Sequence, residues 1–126
     1  MNNLVPATES AGQERLVTCR IGGRLYGVDL EKARDMVVLS SVTPIPFAPE
    51  RVRGAVNLNN RMATVIDVRS VLGLPPNETH SIVGLTVEHD GHAYVLAVDE
   101  VGDIAGTADA REPIERLDVG AIVAPT

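Results

Sequence analysis

The stretch G-A-V-N-L-N-N-R-M-A-T-V-I-D-V-R-S-V-L-G-L, residues 54–74, decides the fold. Two apolar runs flank the pair Asn59-Asn60. Asn tolerates the left-handed backbone that a two-residue hairpin loop demands, so the pair predicts a type I′ turn. Beyond it, Met62, Thr64, Ile66 and Val68 alternate with Ala63, Val65 and Asp67, the period of a strand with two different faces. A short amphipathic turn follows and is ended by Gly73 and Pro75-Pro76.

Upstream, the pattern is β from Arg15. Val17, Cys19 and Ile21 fall on one face and Thr18 and Arg20 on the other, Gly22-Gly23 makes a tight turn, and Leu25 to Val28 returns. Asp29 is placed to N-cap a helical turn through Glu31, Lys32, Ala33 and Arg34, and Met36 to Leu39 is a further apolar run. Val42 to Pro49 carries three prolines, which withhold backbone donors. It reads as an extended surface connection anchored by Ile45 and Phe47. Downstream, Ile82 to Glu88 and Ala93 to Val98 are strands joined by Asp90-Gly91, a strong type I′ signal. A weak repeat links the halves, since G-R-L-Y-G-V-D at 23–29 answers G-H-A-Y-V-L-A-V-D at 91–99. The second half then runs through Gly102 to Thr107, an acidic linker and Val119 to Ala124, and a second closing hairpin is missing from its pattern. An open edge there needs covering.

Composition removes several function classes. A chain of 126 residues is one domain's worth, with 44% hydrophobic residues but one Phe, two Tyr and no Trp, so its core is aliphatic. Stacking platforms for single-stranded nucleic acid are absent, and the net charge of −6 opposes a phosphate backbone. One Cys excludes an intramolecular disulfide framework. No apolar run reaches membrane-span length. Residues 1–14 lack a basic n-region and an apolar h-region, and read as a polar lead-in rather than a secretory signal. The expectation is a cytoplasmic protein with no direct membrane insertion.

The residues do not converge on chemistry either. His89 and His92 flank a turn, with no Cys or further His at ligand spacing, so no metal is expected. Cys19 alternates with Val17 and Ile21 and reads as a small core residue. Asp99-Glu100 and Asp109/Glu112 read as solvated carboxylates, and the glycines lack the spacing and the Lys of a phosphate-cradling loop. No catalytic residue and no cofactor are assigned. What remains is binding.

The 54–74 stretch resembles the signature hairpin of CheW-like chemotaxis coupling domains, usually G-V-x-N-L-R-G-x-x-x-P-V-I-D-L-R-x-x-L-G. Three further segments resemble the family in the right order: L-V-T-C-R-I-G-G-R-L-Y-G-V-D-L at 16–30, V-T-P-I-P-F-A-P at 42–49 and V-L-A-V-D-E-V at 95–101. The resemblance implies a mainly β fold of two small SH3-like barrels over a shared aliphatic core, the first over roughly 15–74 and the second over 80–126. The family usually continues with another closing segment, so the resemblance implies a second barrel lacking its C-terminal hairpin, in a shortened, truncated or frame-altered member. It also implies a non-catalytic adaptor joining chemoreceptors (methyl-accepting chemotaxis proteins) to a histidine kinase, located at receptor clusters. Short, divergent members of accessory pathways, such as those of myxobacterial gliding motility, are similar to this chain.

Carried over residue by residue, the family's receptor groove matches Ala33, Gly54, Ile82 and Val83. Ala33 is small and Gly54 has no side chain, which admits a helix closely; internal packing or a turn explains Gly54 equally well. The family's kinase-side Glu matches Asp35, and its tip Arg-Gly matches Asn59-Asn60. Arg-to-Asn removes the charge and the bidentate fork. Arg61, two positions along, falls on the same side of the strand if the register holds through the turn. The expectation is a coupler that keeps receptor binding and loses most kinase binding, with another CheW-like protein as a further candidate partner. Three alternatives stand beside it: a conventional receptor–kinase coupler, a small-ligand β-barrel sensor, and a subunit only marginally folded without its partner.

Overall fold

The computed structural model describes residues 15–77, 81–106 and 111–123. The 1–14 lead-in, the end of the Pro75–His80 loop, Thr107, Asp109 and Ala124 lie outside the described residues. The fold is mainly β, with strands β1 (Arg15–Ile21), β2 (Arg24–Asp29), β3 (Ala33–Leu39), β4 (Val52–Leu58), β5 (Arg61–Asp67), β6 (Ile82–His89), β7 (His92–Val98), β8 (Glu100–Gly106) and β9 (Glu115–Arg116). Two short helices complete it, α1 (Val68–Val71) and α2 (Val119–Val123).

The strands form two sheets, ordered β8-β1-β2-β9 and β3-β6-β7-β5-β4. Three tight turns carry the expected left-handed pairs: Gly22-Gly23 (φ 61° and 83°), Asn59-Asn60 (53° and 66°) and Asp90-Gly91 (51° and 78°). Asp67 caps α1 by accepting the Arg69 N–H at 3.0 Å. Gly73, with φ 75°, takes the chain out of the helix.

The strand pairing crosses the division expected at residues 75–79. β8 returns to pair with β1, and β5 lies parallel to β7, so each sheet draws strands from both halves. The open edge expected late in the chain is met differently: β9 pairs parallel with β2, Arg116 reaches Asp29 at 2.6 Å, and α2 buries Val119, Ile122 and Val123. Asp29 therefore ends β2 and anchors Arg116, where an N-cap was expected; Leu30 to Lys32 form a simple turn and Ala33 already opens β3.

Two aliphatic clusters hold the sheets. The larger lies between them and joins Cys19, Ile21, Tyr26 and Val28 to Ile66, Leu85, Val87 and Leu96. Both tyrosines of the sequence repeat contribute here, Tyr26 buried within the cluster and Tyr94 packed against the cluster. The smaller cluster lies on the other face of the five-stranded sheet, around Ala63, Val65, Val95 and Ala97, and takes side chains from both edge strands. The sheet therefore curls. A bridge between Thr43 and Ala55, with bonds of 3.0 and 2.8 Å, ties the chain leaving β3 to the far edge at β4. That bridge anchors the proline segment. Ile45 and Phe47, expected to anchor it, are instead 41% and 105% exposed, because Pro46 sets a turn that points the following ring outward.

Candidate functional site

Two regions of the five-stranded sheet carry the residues singled out by sequence. The first is a strip along the β3–β6 pair. A register shift between Ala33 and Met36 places Ala33 opposite Val87, Met36 opposite Leu85 and Val38 opposite Val83. Residues directly opposite one another share a face, so Ala33, Met36 and Val38 all point to the side of the larger cluster. Ala33 is buried there, and Leu85 is 3% exposed. Met36 and Val38 on the adjacent strand are 58% and 61% exposed. Cover from the other sheet thus ends between β6 and β3, and a shelf of apolar side chains is left along the edge.

Of the four receptor-side candidates, the structure brings Ala33 and Val83 to this strip. Ile82 packs on the opposite face with the smaller cluster. Gly54 is buried on β4, with φ 147°, and a Cβ built there would lie 2.2 Å from the Thr43 carbonyl oxygen. Its missing side chain makes room for the Thr43 bridge. Met36 and Val38 were missed by sequence reading, since the bulge that turns them onto the face of the larger cluster leaves no periodic signal.

The second region is a cleft of about 620 Å³ at the tips of the β4–β5 and β6–β7 hairpins. Asp35, Asn59 and Arg61 line it together, whereas Asn60 stands at the exposed apex of its turn. The floor is apolar, with Val37, Leu58 and Ala93. Arg61 donates to the Glu88 carboxylate and, at 2.9 Å, to the Gly91 carbonyl, while Arg34 approaches Glu88 at 3.9 Å. The Arg61 hydrogen bond and charge hold Glu88 below the usual carboxylate range, with a smaller contribution from Arg34. The Asp35 N–H donates to the Thr86 hydroxyl at 2.8 Å, fixing the bulge that opens β3. Arg34, Arg61 and Glu88 therefore satisfy one another within the cleft.

The remaining polar candidates are structural. Asp99, read as solvated, accepts from the Gly22 N–H at 2.8 Å and Arg69 at 2.6 Å, tying a hairpin turn to α1. Glu112 pairs with Arg20. Burial, with the Asp99 charge secondary, pushes the Cys19 thiol up to about 12, which suits a core residue. His89 and His92 face each other across the hairpin, and His89 lies 3.5 Å from Lys32 and 3.4 Å from Asp90. Among the described residues, no helix is long and apolar enough to cross a membrane.

The family model described as "CheW-like domain" matches residues 15–119. Chemotaxis protein CheW of Treponema pallidum (strain Nichols) is 36% identical over 64 residues, covering 51% of this chain. That of Rhizobium meliloti (strain 1021) is 29% identical over 112 residues, covering 86% of this chain. The crystal structure of scaffolding protein TtCheW from Thermoanaerobacter tengcongensis superposes with a TM-score of 0.67 at 27% identity over 82% of this chain. The chain spans 38% of the Treponema protein, 70% of the Rhizobium protein and 66% of TtCheW.

Proposed function

Because the chain belongs to the CheW-like domain family, we propose that it is a non-catalytic coupling or scaffold protein of a chemosensory pathway. In this reading it seats a chemoreceptor signalling helix on the β3–β6 strip and binds the histidine kinase weakly or not at all. It works in the cytoplasm at receptor clusters, tuning array composition or receptor access.

The observation that carries this reading is the exposure of Met36 and Val38 beside a buried Leu85. A helix with an apolar stripe would complete the layer that the second sheet leaves unfinished. Removing the rest of these two side chains from water favours docking by about 1–2 kcal/mol apiece. Ala33 and Val83 border the seat, and Gly54 and Ile82 support the sheet from behind it. On the kinase side, the tip carries Asn59 in place of a guanidinium, and Arg61 is engaged by Glu88. A kinase carboxylate would have to displace an existing partner.

The test is a Val38→Asp variant titrated against a receptor signalling domain. A carboxylate forced against an apolar helix costs at least about 2 kcal/mol, so binding falls more than roughly tenfold. Stability stays near wild type, because Val38 is 61% exposed. Unchanged receptor binding by a folded Val38→Asp protein would remove the strip from the interface.

A further inference from the structure

Of the sulfur-bearing residues among those described, Cys19, Met36 and Met62, only the methionines meet solvent. Cys19 is buried in the larger cluster, and that burial pushes its thiol up to about 12. A thiol kept protonated and covered reacts slowly, because oxidants attack the thiolate. Met36 and Met62 are 58% and 62% exposed. A thioether needs no deprotonation, so exposure opens it directly to an oxygen donor. An oxidant therefore meets this fold first at its methionines.

The two sites differ in their surroundings. Met62 lies on β5, three strands from β3 in the sheet order, beside Tyr94 and His92. Met36 lies on the strip itself, opposite Leu85 and two residues before Val38. The register shift after Ala33 puts its side chain on the apolar face, beyond the reach of the other sheet. In the free protein a sulfoxide at Met36 stays hydrated, so oxidation there leaves the fold intact. Beneath a docked apolar helix the same S=O group loses its water and meets no donor. The penalty falls on the bound state alone.

We propose that Met36 is an oxidant-sensitive modification site that controls docking at the β3–β6 strip, with hydroperoxides as its substrate class. The inference rests on the receptor reading above and adds its regulation. The thioether sulfur attacks the outer oxygen of the peroxide, and an S–O bond forms as the O–O bond breaks. Sulfur gives up two electrons, and the departing oxygen takes the peroxide's proton to leave as water or an alcohol. Two thiols reverse the step: they are oxidised to a disulfide, and the sulfoxide oxygen leaves as water. An exposed side chain forms both sulfoxide epimers, so full recovery requires a reductase for each.

The test treats the full chain with hydrogen peroxide, maps added oxygen by peptide mass spectrometry and titrates a receptor signalling domain. Met36 and Met62 each gain one oxygen, Cys19 stays a thiol, and the circular dichroism matches that of the reduced protein. Oxidised wild type binds the receptor domain at least about tenfold more weakly, as an unpaired buried acceptor requires. Treatment with both epimer-specific reductases restores the affinity. Met36→Leu keeps the apolar volume and binds like reduced wild type before and after peroxide, although its Met62 is oxidised. Met62→Leu loses affinity on oxidation as wild type does. Three results each overturn the proposal: a Met36 that peroxide leaves unmodified, an oxidised wild type of undiminished affinity, or a Met36→Leu protein that still loses affinity. A reduced wild type that does not bind the receptor domain overturns the receptor reading and the proposal with it. If Val38→Asp abolishes binding but peroxide does not weaken it, the proposal alone falls.

Discussion

The β3–β6 strip and the hairpin-tip cleft belong to one sheet, yet they are built to opposite rules. On the strip, Met36 and Val38 are exposed apolar side chains beside a buried Leu85. In the cleft, Arg34, Arg61 and Glu88 already answer one another. A partner that covers the strip gains from burial and displaces only water. A charged partner entering the cleft must replace an existing ion pair with another of similar strength, so its net gain is small. The contrast ranks the two regions for binding without reference to any relative. Apolar surface left uncovered is free to attract, and charge already paired is not.

The largest expected effect tests which side of the comparison Gly54 belongs to. A Cβ there would sit 2.2 Å from the Thr43 carbonyl oxygen, on backbone with φ 147°. Gly54→Asp must therefore break the Thr43–Ala55 bridge that closes the curl of the sheet, and it buries a carboxylate besides. The expected loss is at least about 3 kcal/mol of stability, read as a large fall in the urea midpoint. A Gly54→Asp protein with wild-type stability and lost receptor binding would return this glycine to the docking surface.

How much of this was legible in the sequence depends on range. The three type I′ turns could be read directly because Gly-Gly, Asn-Asn and Asp-Gly each announce a left-handed backbone, and all three pairs have positive φ. The two-faced strand at Met62–Val68 was legible for the same local reason: Ala63 and Val65 enter one cluster, Ile66 and Val68 the other. Pairing over distance was not. Nothing local says that β8 returns to β1 or that β5 runs parallel to β7. The register shift after Ala33 is equally silent, and it alone turns Met36 and Val38 onto the face of the strip. Phe47 was misread because an apolar residue in a proline segment was taken as an anchor, whereas Pro46 fixes a turn that carries the ring outward. For the site, the structure brings Asp35 and Asn59, named on the resemblance, and Arg61, named on strand spacing, to one cleft. Resemblance could not show that Arg61 is spent on Glu88, since that pair spans two hairpins.

Restoring a guanidinium at the tip sharpens the comparison from the other side. Asn59 lies at φ 53°, comfortable for Asn and costly for most residues. Asn59→Arg should lower stability by about 1 kcal/mol through that backbone strain. In exchange it supplies a charge that Glu88 does not already hold. A charge-assisted bond is worth about 1.5–3 kcal/mol, so affinity for a kinase regulatory domain should rise by roughly one to two decades. Calorimetric titration of both proteins measures this. An unchanged, weak affinity in Asn59→Arg would mean that the missing Arg is not what limits kinase binding.

The smallest effect asks whether the clasp in the cleft is closed in solution. Arg61 holds Glu88 below its ordinary value of 4.5, first by hydrogen bond and then by charge, with burial opposing. A carboxylate whose folded pKa is depressed contributes stability that is fully present above its unfolded pKa. That contribution is lost as pH falls through the folded value. The difference in urea stability between wild type and Glu88→Gln should therefore be constant near neutrality and shrink only below about pH 4.5. Glu112, depressed by its hydrogen bond from Arg20, supplies a control remote from the cleft. Glu112→Gln should show the same pH dependence and leave cleft binding untouched, while Glu88→Gln releases Arg61 and strengthens binding of an acidic partner. The effect on stability is small because both partners of the clasp are partly exposed, with side chains at 48% and 37%. If the wild-type-minus-Glu88→Gln difference shows no pH dependence, Arg61 is free in solution. The cleft would then be as open to partners as the strip, and the contrast between them would fail.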